Sequence, residues 1–497
     1  MLLSALLLAT TNSVGHEDVA RYWLAPSNQP GLVFTGRWDS SNPLVPWCEW
    51  QGASVSLNFD GTGVGMTLDP GMSSEWYRVV VDGDYFNSTK IEIDPGGISS
   101  PVLVQGLNPG AHRIEVIKET YVGDATKFYG FYGFGGSGPL NPGPRPTHRI
   151  EFYGDSNLAG YSLEHESNQW GSQYQGSTNT YAGIASRRLD AEYHNISASG
   201  ETISSLHNRY DRLSWWTPNP KWDFSRFTPE LVVVNLGAND VGRSEAFIRA
   251  SYHSFLDDLR LTHPNAHIVL FNGWGWDYAE PANYIADVVS SRNDSNMSAA
   301  VFPWLFEQWH GCESDHAGMA DYLVDHVRLV LGWPVVEGEI ASSYGRGGGV
   351  ANGSFEGRAP FGGFGWRYGA HDSGVQRLQA PAIAKHGDFF VLLQNGASIQ
   401  QPNPALPSQT AIVTLWLRGE FGGESATVTL DFRNQKMWTN PLREQSWTVP
   451  LTTQWAAHSF SLSAPTGGSR PVFHTRLTIA GDSQARIGVD AVQMAVQ

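Results

Sequence analysis

The stretch His148 to Gly160, HRIEFYGDSNLAG, decides how the rest of the chain is read. Ile150 to Tyr153 read as a short apolar strand that ends in a Gly-Asp-Ser-Asn turn. All four residues favour turns, so the tetrapeptide alone is an ordinary turn signal. Its place at a strand end gives it a second meaning. Gly154 permits backbone angles that a residue with a β-carbon resists, so the turn can lift the hydroxyl of Ser156 clear of the strand. An α/β sheet places its chemistry at that edge.

Three later segments add to this one. Ile196 to Ile203, ISASGETI, sets Gly200 just past a strand-like run. Leu231 to Asp240, LVVVNLGAND, has the pattern of a buried parallel strand and ends on Asn239. Trp309 to Ala320, WHGCESDHAGMA, brings histidines in front of a helix. From about 147 to 336, strand signals at Ile150–Tyr153, Tyr193–Ile196, Leu231–Leu236 and Ile268–Asn272 alternate with helical ones at Tyr181–Leu189, Ser244–Thr262 and Ala317–Leu331. This alternation predicts an α/β three-layer sandwich, a mostly parallel sheet with helices on both faces.

A serine hydroxyl is a weak nucleophile at its own pKa. It needs a base within hydrogen-bond reach and donors for the oxyanion that forms. The backbone N–H of Ser156, the N–H of Gly200 and the side-chain amide of Asn239 would supply three donors. Asn239 has an alternative use as the cap of the helix after its strand. Either His310 or His316 could serve as base, and Asp155 reads as a turn-stabilising side chain.

Serine, glycine, asparagine and histidine in this order resemble the block pattern of the SGNH (GDSL-type) hydrolases. In those enzymes the catalytic histidine commonly precedes a Met-Ala pair by nine residues, and Met319-Ala320 then points to His310. Carbohydrate esterase family 2 often carries a second histidine six residues later, which matches His316. Glu307 stands three residues before His310, the usual place of an orienting aspartate, while Gln308 occupies the position where family 2 often has its acid. The resemblance therefore leaves Glu307, Gln308 or a backbone carbonyl to orient the imidazole. Thr35-Gly-Arg-Trp38, Trp50-Gln-Gly-Ala-Ser54 and Phe59-Asp-Gly-Thr62 look like motifs of the family 2 N-terminal sandwich, so the likeness covers about residues 30 to 335. It implies a serine esterase that removes O-acetyl groups from plant-type polysaccharides or oligosaccharides, such as xylan and glucomannan, through an acetyl-serine. It implies no metal and no organic cofactor. An SGNH esterase acting on lipid or aryl esters is the alternative, and a carbohydrate-binding protein with an inactive esterase domain is a third reading.

The rest of the chain bounds these expectations. A length of 497 residues suggests about two to four domains. A net charge of −16 argues against nucleic acid or an anionic membrane as partner. Nineteen Trp lean mildly toward carbohydrate, since aromatic faces stack on sugar rings. Residues 1–19 contain an apolar run resembling a secretory signal, and sequons at Asn87, Asn195, Asn293, Asn296 and Asn352 fit a secreted, extracellular glycoprotein. Cys48 and Cys312 could form one bridge.

Residues 20–146 alternate as short strands, with Asp60-Gly61 and Asp82-Gly83 as tight-turn signals, and predict a β-sandwich (jelly roll) of roughly eight strands. Gly135 to Pro146 has the composition of a boundary, so the hydrolase domain is expected over 147–336. A Gly-rich joint then leads into a second β-sandwich over 345–497. Its Asn352-Gly-Ser-Phe-Glu356 opening and Val489-Asp-Ala-Val492 close resemble the ends of jelly-roll carbohydrate-binding modules. Trp366, Tyr368 and Trp438 are its expected exposed aromatics, and a spacer role is the plainer alternative. A monomer is expected.

Overall fold

The computed structural model describes residues 22–336 apart from 86, 122, 166–168, 274–283, 303–309 and 312, and then 350, 353–356, 366–368 and 372–497 apart from 406–407, 434–439 and 467–473. The leader-like segment 1–19 lies outside the described residues.

The N-terminal region forms one hydrogen-bonded network of ten strands, rather than roughly eight. Its spine is the antiparallel pair Ser54–Asp69 and Val102–Lys118. Asp60-Gly61 is not a turn: it lies inside the first of these strands, where the register shifts between Gly61 and Gly63 and the strand runs on. Asp82-Gly83 does turn the chain. Both residues have positive φ, 53° and 77°, as a tight hairpin turn requires.

The central sheet has five parallel strands in the order Ala191–Ser197, His148–Gly154, Leu231–Asn235, His267–Gly273, Met297–Phe302. The first of them in the chain stands second in the sheet. The order thus reverses beside His148–Gly154, and the crevice at its C-terminal end is where such sheets bind ligands. Side chains alternate between two cores. Phe152, Val233 and Phe271 pack under the helices Tyr181–Arg188 and Glu313–Leu331. Tyr153, Val232 and Leu270 face Ile248, Tyr252, Phe255 and Leu259 of the helix Glu245–Thr262. Covering both faces removes every residue of the inner strand Leu231–Asn235 from water, which is why it reads as an apolar run.

A buried ion cluster fastens the first region to this sheet. Arg37, from Thr35-Gly-Arg-Trp38, places Nη2 2.7 Å from Glu151 Oε1 with both side chains fully buried. His263 Nε2 lies 3.0 Å from the other carboxylate oxygen and His194 Nδ1 3.5 Å from Oε1. Burial works against the ionised form of Glu151. The Arg37 guanidinium and the two imidazoles outweigh it and hold the carboxyl well below the usual carboxylate range.

The C-terminal region consists of two five-stranded antiparallel sheets that share one apolar core. In Thr410–Gly419 alternate residues are buried, the pattern of a strand with one face on a core. Trp366 is 1% exposed and belongs to that core, so it is no surface platform. It fills the sandwich beside Phe355, with ring centroids 5.3 Å apart. The Tyr368 side chain and Trp438 lie outside the described residues. Val492 N–H donates to Gly353 O at 2.8 Å, which joins the opening of the region to its close.

Candidate active site

The strand His148–Gly154 delivers Ser156 as the first residue of a single helical turn, Ser156–Ala159. Asp155 caps that turn: its Oδ1 accepts from Asn157 N–H at 3.0 Å. Burial pushes the Asp155 carboxyl up to about 7, against the hydrogen bonds from Asn157. This is the turn-stabilising role expected of it. Gly154 is needed for a different reason from the expected one. Its φ is not positive; a Cβ there would lie 2.7 Å from Cβ and Cδ2 of Leu158 and 3.0 Å from Asn235 O. Glycine lets the helical turn sit directly on the strand end.

His310 reaches Ser156 from the far end of the domain. Its Nε2 stands 2.9 Å from Ser156 Oγ, the distance at which a neutral imidazole accepts the hydroxyl proton. The Tyr161 ring lies against it, centroid to centroid 4.5 Å. Asn157, overlooked in the sequence reading, steadies the same loop: its Oδ1 accepts from Gly311 N–H at 3.3 Å.

His316 is built differently. It is 1% exposed, its Nδ1 accepts from Tyr181 N–H at 3.1 Å, and its ring stacks on Tyr181. Burial, aided by the neighbouring His310, pushes its pKa down to about 3. That imidazole stays neutral and anchors the helix Tyr181–Arg188 to the helix Glu313–Leu331. Its hydrogen bond joins residues 135 apart in the chain.

Gly200 and Asn239 belong to the same edge. Gly154 pairs with Ser197 on one side and Asn235 on the other, so the segments that follow these residues flank the Ser156 turn. Gly200 has φ +81°, and a Cβ there would meet nothing within 4 Å, so it is required for its backbone angle rather than for lack of space. Asn239 is exposed, and its Nδ2 donates to Glu201 O at 3.0 Å. An amide nitrogen carries two hydrogens, which leaves a second for the cleft. Glu307 and Gln308 lie outside the described residues, as does Cys312. Cys48 is buried with a free thiol, and burial pushes its pKa up to about 12.

Residues 34–143 match the family description "Carbohydrate esterase 2 N-terminal", and residues 152–324 match "GDSL-like Lipase/Acylhydrolase family". Over residues 34–324 the chain resembles the family 2 carbohydrate esterases. Among relatives, it is 32% identical to the cellulase/esterase CelE of Acetivibrio thermocellus over 62% of this chain, but it spans only 40% of that protein's length. It is 22% identical to an acetylxylan esterase / glucomannan deacetylase of Cellvibrio japonicus over 67% of this chain and 98% of that protein. A solved family 2 esterase from Clostridium thermocellum, in complex with cellohexaose, superposes with a TM-score of 0.56 at 28% identity, covering 61% of this chain and all of that one. In this chain the described part of the site lies where the two matched domains meet. Tyr121 comes from the first and packs against Tyr161 of the second, with ring centroids 6.1 Å apart.

Proposed function

We propose that this protein is a serine esterase that removes O-acetyl groups from plant-type polysaccharides or their oligosaccharides, xylan and glucomannan among them. The observation that carries the proposal is the 2.9 Å contact between Ser156 Oγ and His310 Nε2 at the switch point of the sheet. Ser156 Oγ attacks the acetyl carbonyl carbon while His310 Nε2 takes the hydroxyl proton. The oxygen of the tetrahedral intermediate gains a negative charge, facing the N–H groups of Ser156 and Gly200 and the Asn239 amide. As the intermediate collapses, the sugar oxygen leaves with the proton from His310. Water, deprotonated by His310, then attacks the carbonyl carbon of acetyl-Ser156; the C–Oγ bond breaks, Ser156 Oγ takes the proton back from His310, and acetate is released.

The surroundings favour a sugar over a lipid. Tyr161 borders His310 and Tyr121 packs against Tyr161, while Trp216, 62% exposed, stands beside Trp215, whose indole N–H donates to Glu201 next to Gly200. Flat aromatic faces with polar edges suit a pyranose ring. Acetate release from acetylated xylan and acetylated glucomannan, compared with aryl esters of acetate and of a long-chain acid, tests the assignment. Release from at least one polysaccharide with no preference for the long acyl chain is expected, and a strong long-chain preference would favour the lipid reading instead.

The domain limits 20–146, 147–336 and 345–497 are part of the same proposal, with the last a jelly-roll module that holds the enzyme on polysaccharide. A secreted, monomeric protein fits this role. Asn87, Asn293 and Asn296 are exposed, as acceptors of glycans would have to be. Asn195 is 2% exposed and its amide is committed to Leu158 O, so that sequon stays unmodified in the folded protein.

A further inference from the structure

The segment Glu49-Trp50-Gln51 of the N-terminal region enters the hydrolase domain as a wedge. Trp50, 2% exposed, sits in the core with Tyr153, Ile196, Ile203 and Leu206. Gln51, 1% exposed, donates through Nε2 to Asn195 Oδ1 (3.0 Å), Ser197 O (2.9 Å) and Ser197 Oγ (2.7 Å). Asn195 in turn donates to Leu158 O, at 2.9 Å, in the helical turn that carries Ser156. Glu49, 4% exposed, accepts through Oε1 from the backbone N–H of Trp215 at 2.6 Å and of Trp216 at 3.4 Å. Trp215 Nε1 donates to Glu201 Oε1 at 2.6 Å, and Glu201 O receives Asn239 Nδ2.

Two chains of contacts therefore start within one short segment of the first domain; one ends on Ser197, at the strand end that leads to Gly200, and the other on the Asn239 amide. Gln51 holds Ser197, three residues before Gly200. Glu49 holds the Trp215 loop, and through Glu201 the Asn239 amide. Ser199 and Gly200 are exposed, and on that side the Tyr121 side chain, also from the N-terminal region, hydrogen-bonds Ser199. The loop is aimed by this contact, by the strand end beneath it and by Glu201. Donors aimed at a developing oxyanion work only when held in place in advance.

Resting on the esterase reading above, we propose that Glu49 and Gln51 are positioning residues for the oxyanion hole, so that the N-terminal region completes the active site and is not an appended binding module. The test uses the full chain with Gln51→Ala, Glu49→Ala and Glu49→Gln. Each preparation is labelled to completion with a fluorophosphonate, and kcat and KM on an aryl acetate are expressed per labelled serine. Gln51→Ala and Glu49→Ala should lose about 10- to 100-fold in kcat per labelled site with KM little changed, the scale expected of a slightly misplaced catalytic geometry. Glu49→Gln keeps an acceptor for Trp215 N–H and should recover most of that loss. Because the rate is taken per labelled serine, a merely structural role would lower the yield or Tm and leave it unmoved. An unchanged kcat per site in both alanine variants overturns the proposal, as does a loss confined to KM. Should one alanine variant fail to fold, the other decides by the same criterion. If neither folds, the segment is a fold determinant and the proposal falls. Failure of the esterase reading looks different: the parent protein would neither turn over the ester nor carry label on Ser156.

Discussion

His316→Asn separates the two histidines and measures the burial of the second. Asn can overlay its Oδ1 on the position of Nδ1, so the bond from Tyr181 N–H survives while the titrating ring is lost. The folded pKa lies at about 3 and the ordinary value at 6.5. Between these values the unfolded chain binds a proton that the folded one refuses. Stability from this group is complete above 6.5 and is lost as the pH falls toward 3. At pH 5.5 the unfolded imidazole is about ten to one protonated, which costs the fold about 1.4 kcal/mol. Urea titrations of parent and variant at pH 7.5 and pH 5.5 read this directly. The stability gap between them should shift by about 1.4 kcal/mol in favour of the variant at the lower pH. An unchanged gap would refute the buried, neutral imidazole, and a loss of kcat as severe as that of His310→Ala would refute the division of labour.

Four further outcomes follow from the geometry. His310→Ala should lower kcat on an aryl acetate by about 100-fold or more, because Ser156 then has no proton acceptor; a loss under about tenfold would point elsewhere for the base. Gly154→Ala should destabilise by about 1–3 kcal/mol in urea and depress kcat, since its Cβ would meet Leu158 at 2.7 Å under the Ser156 turn; parent-like stability would contradict that packing. Arg37→Ala should cost about 3–5 kcal/mol by leaving Glu151 buried without its guanidinium, and a cost below about 1 kcal/mol would show that the two histidines suffice. A chain ending near Gly345 should keep its rate on an aryl acetate and lose it on insoluble acetylated cell-wall polysaccharide; equal losses on both would make the C-terminal region a structural partner of the esterase.

The parts of this protein that could be read from sequence are those whose cause is local. Ser156, Gly200 and Asn239 each stand just past a strand-like stretch, so their places at the C-terminal edge of the sheet were legible in the sequence, and the resemblance to the SGNH hydrolases, through the spacing to Met319-Ala320, pointed to His310 over His316. Contacts between distant residues were not legible. Gly154 looked like a residue chosen for its backbone angle, yet its reason is contact with Leu158. Gln51 and Ser197 are 146 residues apart, and nothing near either announces the bond between them. The strand Met297–Phe302 went unread because it lies at the sheet edge, where MSAAVF is only half buried and lacks the apolar run of its neighbours. Trp366, in the Gly-rich GFGWRYG, read as a surface aromatic, but it is the large residue that fills the C-terminal core.

The proposed reaction requires an acetyl group carried by Ser156. Acid quenching of the protein during turnover of an acetate ester, followed by mass analysis of its peptides, tests this directly. One acetyl increment should appear on the peptide containing Ser156 and vanish in Ser156→Ala together with acetate release. Turnover at the parent rate by Ser156→Ala, or an acetyl group on another residue that is kinetically competent, would contradict it.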